Sequence, residues 1–189
     1  MISNDNLFFL DESGFNLHTS ANFGYSPINT DAYRTVPKNR GKNISLLLMI
    51  SFSAIVKSEL VLGSFNSSLY LSFLVNAINS RILNPGNVLV CDNVNFHKSP
   101  EVVEYLSQEG TSYMFLPPYT PQFNPVEEVF SCIKNWFSNI RPMATTSEEI
   151  IYNIKNIIAG INDYENFNML NLYMKMRRQL DKAYNYEDL

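Results

Sequence analysis

Short apolar runs bounded by polar residues recur along this chain and restrict the folds that it can adopt. Residues 7–10 form one such run and stop at Asp-Glu-Ser-Gly, which predicts a buried strand that ends at a polar turn. Residues 44–56 predict one long strand, and residues 87–91 and 112–116 predict two more. Because none of these runs reaches the roughly 18 apolar residues of a membrane span, we expect no membrane partner.

Helical patterns alternate with these strands over the rest of the chain. The predicted helices span residues 67–82, 100–110, 124–138, 147–158 and 164–183. Strands followed by alternating helix–strand units predict an α/β fold, with a mixed sheet flanked by helices. We therefore expect one main domain over residues 1–140 and a helical C-terminal extension over residues 141–189, packed on the same domain.

Three acidic residues have similar positions relative to these elements. Asp11 and Asp92 each follow a predicted buried strand, and Glu127 lies at the start of the helix after another strand. Strand ends of an open α/β sheet face a shared crevice, where ligands bind. Carboxylates gathered there raise each other's pKa, and a divalent cation with oxygen ligands, Mg²⁺ or Mn²⁺, is the usual way to hold them together.

Each acid also has a purely structural interpretation. Asp11 is typical of a turn, and Asp92 can simply end its strand. Glu127 would be the third helical residue after Asn124, where a glutamate bonds back to the helix cap. Glu128 is an alternative to Glu127, since consecutive helical residues point about 100° apart.

Composition restricts the function classes further. The formal net charge of −4 argues against a protein that coats a polyanion, but it is compatible with an enzyme whose carboxylates hold metal ions. The two cysteines are too few for a disulfide framework, which favours a reducing compartment. A phosphatase with Asp11 as nucleophile fits poorly, because no second aspartate stands two positions further on.

Five sequence blocks resemble the catalytic domain of mariner-like transposases and their bacterial insertion-sequence relatives. In chain order they are FLDESGFN, GYSP, RGKNISLLLMIS, LVCDNVNFHKS and FLPPYTPQFNPVEEVFSCIKNWF. The spacing agrees as well, since 34 residues separate Asp92 from Glu127. The resemblance implies a ribonuclease-H-like fold, with a mixed five-stranded sheet flanked by helices.

The resemblance also implies a site and an activity. Asp11, Asp92 and Glu127 would form the catalytic triad of acids and hold two Mg²⁺ or Mn²⁺ ions for phosphodiester hydrolysis and transesterification. The expected partners are DNA, as transposon ends and target, and a second copy of the chain as a homodimer on that DNA. Such a protein would be nuclear in a eukaryote and otherwise cytoplasmic.

Five further residues are candidates for DNA contact. Arg34, Lys38, Arg40 and Lys42 form a basic island, for which a solvated face and a phosphate-gripping edge are both open interpretations. His97 follows Asp92 by five residues and would contact DNA, orient the loop of the second acid, or serve only in packing.

One departure from the family affects the expected function. Complete transposases of this kind carry paired helix-turn-helix modules before the first strand, whereas Asp11 comes almost at the start of this sequence. We therefore expect a catalytic domain without those DNA-binding modules. The alternative is a catalytically silent, domesticated or truncated remnant that binds DNA or protein.

Overall fold

The computed structural model describes residues 3–15, 26–31, 43–140, 146–163 and 169–184. Its strands are β1 (Leu7–Phe15), β2 (Ile44–Ile50), β3 (Ile55–Leu62), β4 (Val88–Cys91) and β5 (Ser112–Phe115). Its α-helices are α1 (Ser67–Asn79), α2 (Pro100–Gln108), α3 (Val126–Ile140), α4 (Ser147–Asp163) and α5 (Met169–Tyr184).

The described strands form one five-stranded sheet in the order β3-β2-β1-β4-β5. β1 pairs antiparallel with β2, which pairs antiparallel with β3, whereas β1–β4 and β4–β5 are parallel pairs. The chain crosses from β4 to β5 through α2, as a parallel connection requires. The mixed five-stranded sheet flanked by helices is therefore confirmed.

The single long strand predicted over residues 44–56 is wrong, because the chain turns back at its serines. The backbone N–H of Ser51 donates to the carbonyl of Ala54 at 2.9 Å, and the Ser51 hydroxyl accepts from the backbone N–H groups of Ser53 and Ala54. Serine side chains offer such local hydrogen bonds in competition with a sheet ladder. The run therefore divides into β2 and β3, and their hairpin builds the antiparallel half of the sheet.

The end predicted for the first strand at residue 10 is also wrong. β1 continues to Phe15, with Asp11 opposite Leu48 and Gly14 opposite Ser45 on β2. The polar residues remain in the strand because β2 supplies hydrogen-bonding partners along their whole length. Asp11 thus lies in the middle of a strand, where its backbone pairs with β2.

Helices cover both faces of the sheet, and each face has its own apolar core. Alternate residues of a strand point to opposite faces. Phe9 and Phe15 of β1 pack with α3, α4 and α5, whereas Phe8 and Leu10 pack with α1 and α2. We call these the α3 face and the α1 face. By this alternation Asp11 belongs to the α3 face and Glu12 to the α1 face.

The helix bounds agree with the predicted pattern except at several ends. α1 ends at Asn79 and α2 at Gln108, somewhat earlier than predicted, while α4 extends to Asp163. Asn66 caps α1, because its side chain accepts from the backbone N–H of Leu69 at 2.9 Å. Among the described residues, no helix has the length and apolarity needed to cross a bilayer.

Candidate active site at the acidic end of the sheet

Asp11 is buried in the central strand, and both of its carboxylate oxygens accept hydrogen bonds. The side-chain amide of Asn124 donates to Oδ2 at 2.8 Å, and the backbone N–H of Glu12 donates to Oδ1 at 2.7 Å. Burial raises the pKa of Asp11 to about 7, with smaller upward contributions from the charges of Asp92 and Glu127. Three carboxylates from three separate elements therefore act on one another electrostatically.

Asp92 follows β4 directly, next to the central strand. The parallel register aligns Leu10 with Cys91, so the next residues on the two strands are Asp11 and Asp92. The Asp92 side chain is 41% exposed, and its Oδ1 atom lies 2.8 Å from Nδ1 of His97. Within the described residues this Oδ1 atom has no hydrogen bond of regular geometry, so the charged contact with His97 is what holds it.

Glu127 lies in the first turn of α3, and it does not serve as the cap of that helix. Asn124 accepts the Val126 backbone N–H on its own side-chain oxygen at 3.2 Å. The backbone N–H of Asn124, which a capping glutamate would accept, already donates to Pro121 at 2.9 Å. The capping interpretation is therefore not what the described residues show, and the exposed Glu127 carboxylate is available to the cleft.

The three predicted acids line one cleft of about 540 Å³. Its other walls come from the segment that follows β4 and from the proline-rich loop between β5 and α3. The lining residues besides Asp11, Asp92 and Glu127 are Glu12, Asn93, Val94, Leu116, Pro117, Pro118, Tyr119, Thr120, Pro121 and Asn124. The acids lie at one end of the sheet, as the strand-end pattern predicted, although Asp11 occupies a strand interior.

Glu12 and His97 join the two central strands from the α1 face. Sequence patterns singled out His97 but not Glu12. Nε2 of His97 lies 2.8 Å from Oε1 of Glu12, while its Nδ1 contacts Asp92. Burial lowers the pKa of His97, but its contacts with Asp92, Cys91 and Glu12 outweigh this and raise it to about 12. Glu12, Asp92 and His97 offer ligand atoms within 4.8 Å of one another, so they are also a group that could hold a metal ion.

Residues 6–151 match the sequence model of the family described as DDE superfamily endonuclease. The chain belongs to this family. The membership confirms the resemblance that the five sequence blocks suggested.

Solved structures agree with the DDE fold. A pre-cleavage Mos1 transpososome superposes with a TM-score of 0.80 at 15% identity, covering 97% of this chain and 56% of that chain. A Mos1 mariner paired-end complex with Mn gives 0.79 at 16% identity, covering 97% and 56%. The Mos1 mariner catalytic domain gives 0.70 at 14% identity, covering 98% and 85%. At these identities the similarity shows the fold, and this chain spans about half of the Mos1 chains in the DNA complexes.

A curated relative adds no function to the DDE assignment. It is an uncharacterized protein, y4pE/y4sA, of Sinorhizobium fredii (strain NBRC 101917 / NGR234), and is 38% identical over 53 residues. That match covers 28% of this chain and 37% of the relative.

Glu128, the alternative to Glu127 in the DDE cleft, has a different environment. It forms an ion pair with Lys175 of α5. It lines a neighbouring groove with Leu172, Lys175 and Met176, whereas Glu127 borders both the groove and the cleft. The structure thus separates two adjacent glutamates that periodicity alone could not tell apart.

The residues predicted to contact DNA have mixed outcomes. Arg34, Lys38, Arg40 and Lys42 lie outside the described residues. His97 is 0% exposed, and both of its ring nitrogens face carboxylates. Of the interpretations open for His97, orienting the loop of the second acid fits this geometry better than contact with DNA.

The roles of Glu12 and Asn124 in the site could not be predicted from the sequence, because they depend on how distant segments pack together. Glu12 points to the face opposite Asp11, and only the extension of β1 past residue 10 places it there. Asn124 was recognised as a helix cap, but its hydrogen bond to Asp11 spans 113 positions of sequence. Neither contact follows from local pattern.

Proposed function

We propose that this cleft is the catalytic site of a metal-dependent DNA endonuclease and strand-transfer domain, of the transposase kind. Asp11, Asp92 and Glu127 would be its catalytic acids. The observation that carries the proposal is their convergence on one cleft from a central strand, the end of its parallel neighbour and the first turn of a helix. Membership in the DDE superfamily of endonucleases supports the same reaction class.

The donor set fits divalent cations. Carboxylate oxygens are the ligands that Mg²⁺ and Mn²⁺ prefer. Without a cation, burial and, to a smaller extent, the neighbouring negative charges raise the pKa of Asp11 to about 7, so that part of the population is protonated at neutral pH. A divalent charge would offset this repulsion and favour the ionised carboxylate. The number of ions, two, is part of the proposal.

The protein's own contribution is to fix the three acids and restrict their orientation. Asn124 holds Oδ2 of Asp11 and begins α3 at the same time, so one amide couples two of the acids. When bound, a pair of divalent cations supplies Lewis acidity and neutralises charge at a scissile phosphate.

The rim of the cleft suits a nucleic acid substrate. Tyr119 is 99% exposed there and has a left-handed backbone with φ of 61°, an arrangement that costs free energy for a non-glycine residue. An exposed aromatic ring offers a surface on which a base can stack. Mos1 complexes with a transposon end share the fold, and by analogy we propose transposon-end and target DNA as partners, with a homodimer as the assembly.

The test is nicking of supercoiled duplex DNA in Mg²⁺ or Mn²⁺. We expect Asp92→Asn to lower the nicking rate by roughly 10³-fold or more, because a lost ion contact removes several kcal/mol of transition-state stabilisation. Glu127→Gln should lower the rate by at least roughly 10²-fold.

Glu128→Gln is the matched control, since it makes the same change one residue away and outside the acid cleft. We expect it to retain the wild-type rate within about twofold. Nicking that survives Asp92→Asn would refute the proposed site. DNA binding without cleavage by the wild type would favour the silent remnant instead.

A further inference from the structure

His97 links the two central strands through a contact at each ring nitrogen. Nε2 lies 2.8 Å from Oε1 of Glu12 on β1, and Nδ1 lies 2.8 Å from Oδ1 of Asp92 after β4. Both distances are in the range of close ion pairs, and Nδ1 also lies 3.5 Å from the backbone carbonyl oxygen of Asp92. The result is a Glu12–His97–Asp92 bridge that approaches the acid cleft from the α1 face.

The imidazole ring of this bridge is held rigidly. His97 lies in a short 3₁₀ turn over Asn95–Lys98 and is completely buried. Its ring stacks on Tyr70, with ring centroids 4.3 Å apart and an interplanar angle of 30°. The Phe96 ring packs edge-on against it, with ring centroids 4.4 Å apart. The Tyr70 hydroxyl in turn lies 2.7 Å from that of Tyr113. A ring packed in this way can rotate little, so both nitrogens stay aimed at their carboxylates.

The Asp92 carboxylate depends on this ring for its orientation. It is 41% exposed, and its Oδ1 atom lacks a regular hydrogen bond within the described residues. Asp11, by contrast, is fixed by two hydrogen bonds of its own. Of these two acids, Asp92 therefore has the greater freedom to rotate away if His97 is removed.

We infer that His97, anchored by Glu12, is a positioning residue that fixes the Asp92 carboxylate for divalent-ion binding. The inference rests on the proposed function, because it assumes that Asp92 is an ion ligand. Residues behind the ligands of a metal site orient those ligands, and their loss typically weakens metal affinity or activity by roughly 10–100-fold. Glu12 would orient the His97 ring through Nε2, as the ring orients the Asp92 carboxylate through Nδ1.

The decisive measurement is Mn²⁺ affinity, followed by the electron paramagnetic resonance signal of free Mn²⁺. His97→Phe keeps an aromatic ring for stacking on Tyr70 but removes both nitrogens. We expect it to weaken Mn²⁺ binding by roughly tenfold. His97→Asn restores a side-chain N–H near the position of Nδ1, and we expect it to recover an affinity within about threefold of wild type.

Tyr70→Phe controls for packing, since it keeps the ring against His97 and removes only the hydroxyl contact with Tyr113. We expect a lower melting temperature and wild-type Mn²⁺ affinity. Should His97→Phe fail to fold, the comparison of His97→Asn with His97→Gln replaces it. The Gln amide reaches toward Glu12 rather than Asp92, so only the Asn variant should retain tight binding.

Nicking at different Mn²⁺ concentrations separates this inference from the proposed function. A positioning role predicts that excess Mn²⁺ restores most of the rate of His97→Phe but none of that of Asp92→Asn. Wild-type Mn²⁺ affinity in His97→Phe would overturn the positioning role, even if nicking by the wild type upheld the nuclease. A nitrogen coupling to bound Mn²⁺, seen by electron spin echo modulation, would also overturn it, because His97 would then be a direct ligand.

Discussion

The two faces of the sheet hold the acids of one cleft by different means. On the α3 face, Asp11 is buried and accepts hydrogen bonds from the neutral amide of Asn124 and from a backbone N–H. From the α1 face, the basic ring of His97 contacts the half-exposed Asp92 carboxylate. A neutral donor satisfies an oxygen without supplying charge, and burial accordingly raises the pKa of Asp11 to about 7. The ion pair gives Asp92 a positively charged neighbour, which Asp11 does not have among its hydrogen-bond donors.

In the metal-free cleft, the environment of Asp11 is therefore the main one that opposes a charged carboxylate. Asp11 is kept in a site that disfavours its charge, whereas Asp92 has the basic ring of His97 as a partner. Functional sites commonly retain groups whose environment opposes their working state. Substitutions of Asp11 and of Asp92 should therefore change stability in opposite directions, while both strongly lower the nicking rate.

The largest expected effect concerns Asp11→Asn, which tests the α3 face. We expect nicking to fall by roughly 10³-fold or more, because an ion contact is lost. We also expect the metal-free protein to become more stable by about 1–3 kcal/mol at pH 8. The gain comes from removing a buried charge and is reduced by the loss of one accepted hydrogen bond. Thermal melting in chelator measures the second effect.

The pH dependence of that gain gives an internal check on its cause. The pKa of Asp11 is raised in the folded protein from 3.8 to about 7, so the folded state binds more protons than the unfolded state between these values. Wild-type stability attributable to Asp11 therefore falls as pH rises through this window, by at most about 1.4 kcal/mol per pH unit. The advantage of Asp11→Asn should grow from pH 4 to pH 7 and then level off. A pH-independent difference would show that the charge of Asp11 is not its source.

Asp92→Asn should have the opposite effect on the stability of the metal-free protein, because Asp92 is contacted by His97 from the α1 face. It removes the charge that faces the buried His97 ring, so we expect a loss of stability of about 1–2 kcal/mol at pH 7. The estimate is kept low because the Asp92 side chain is 41% exposed and its ion pair is partly screened. Chemical denaturation in chelator measures it. Equal gains in Asp92→Asn and Asp11→Asn would contradict the difference between the two faces.

The smallest expected effect separates the two roles of Asn124. Asn124→Ser keeps a good helix-capping oxygen but loses the amide that donates to Asp11, whereas Asn124→Ala loses both. We expect Asn124→Ala to be less stable than Asn124→Ser by about 1 kcal/mol. Both should lower Mn²⁺ affinity similarly, because both release Oδ2 of Asp11. Affinity that follows the cap rather than the amide would show that Asn124 acts only through α3.

Prediction from sequence succeeded where the information was local or repeated. The alternation of apolar runs and helical patterns predicted the mixed sheet. The acids were recognised because several blocks around them matched one family. The predicted C-terminal end of β1 was wrong and the turn at Ser51 was missed, since strand length depends on the partner strand as well as on the residues themselves.

The order of apolar and polar residues thus determined by itself that this chain forms a mixed α/β sheet with acids near its strand ends. It did so because burial of apolar surface acts on every residue according to its own side chain. The tertiary structure alone decided that Glu12 faces His97, that Asn124 reaches Asp11 and that Glu128 turns toward Lys175. These contacts join residues far apart in the chain, so they depend on strand register and helix placement, which no local stretch of sequence contains.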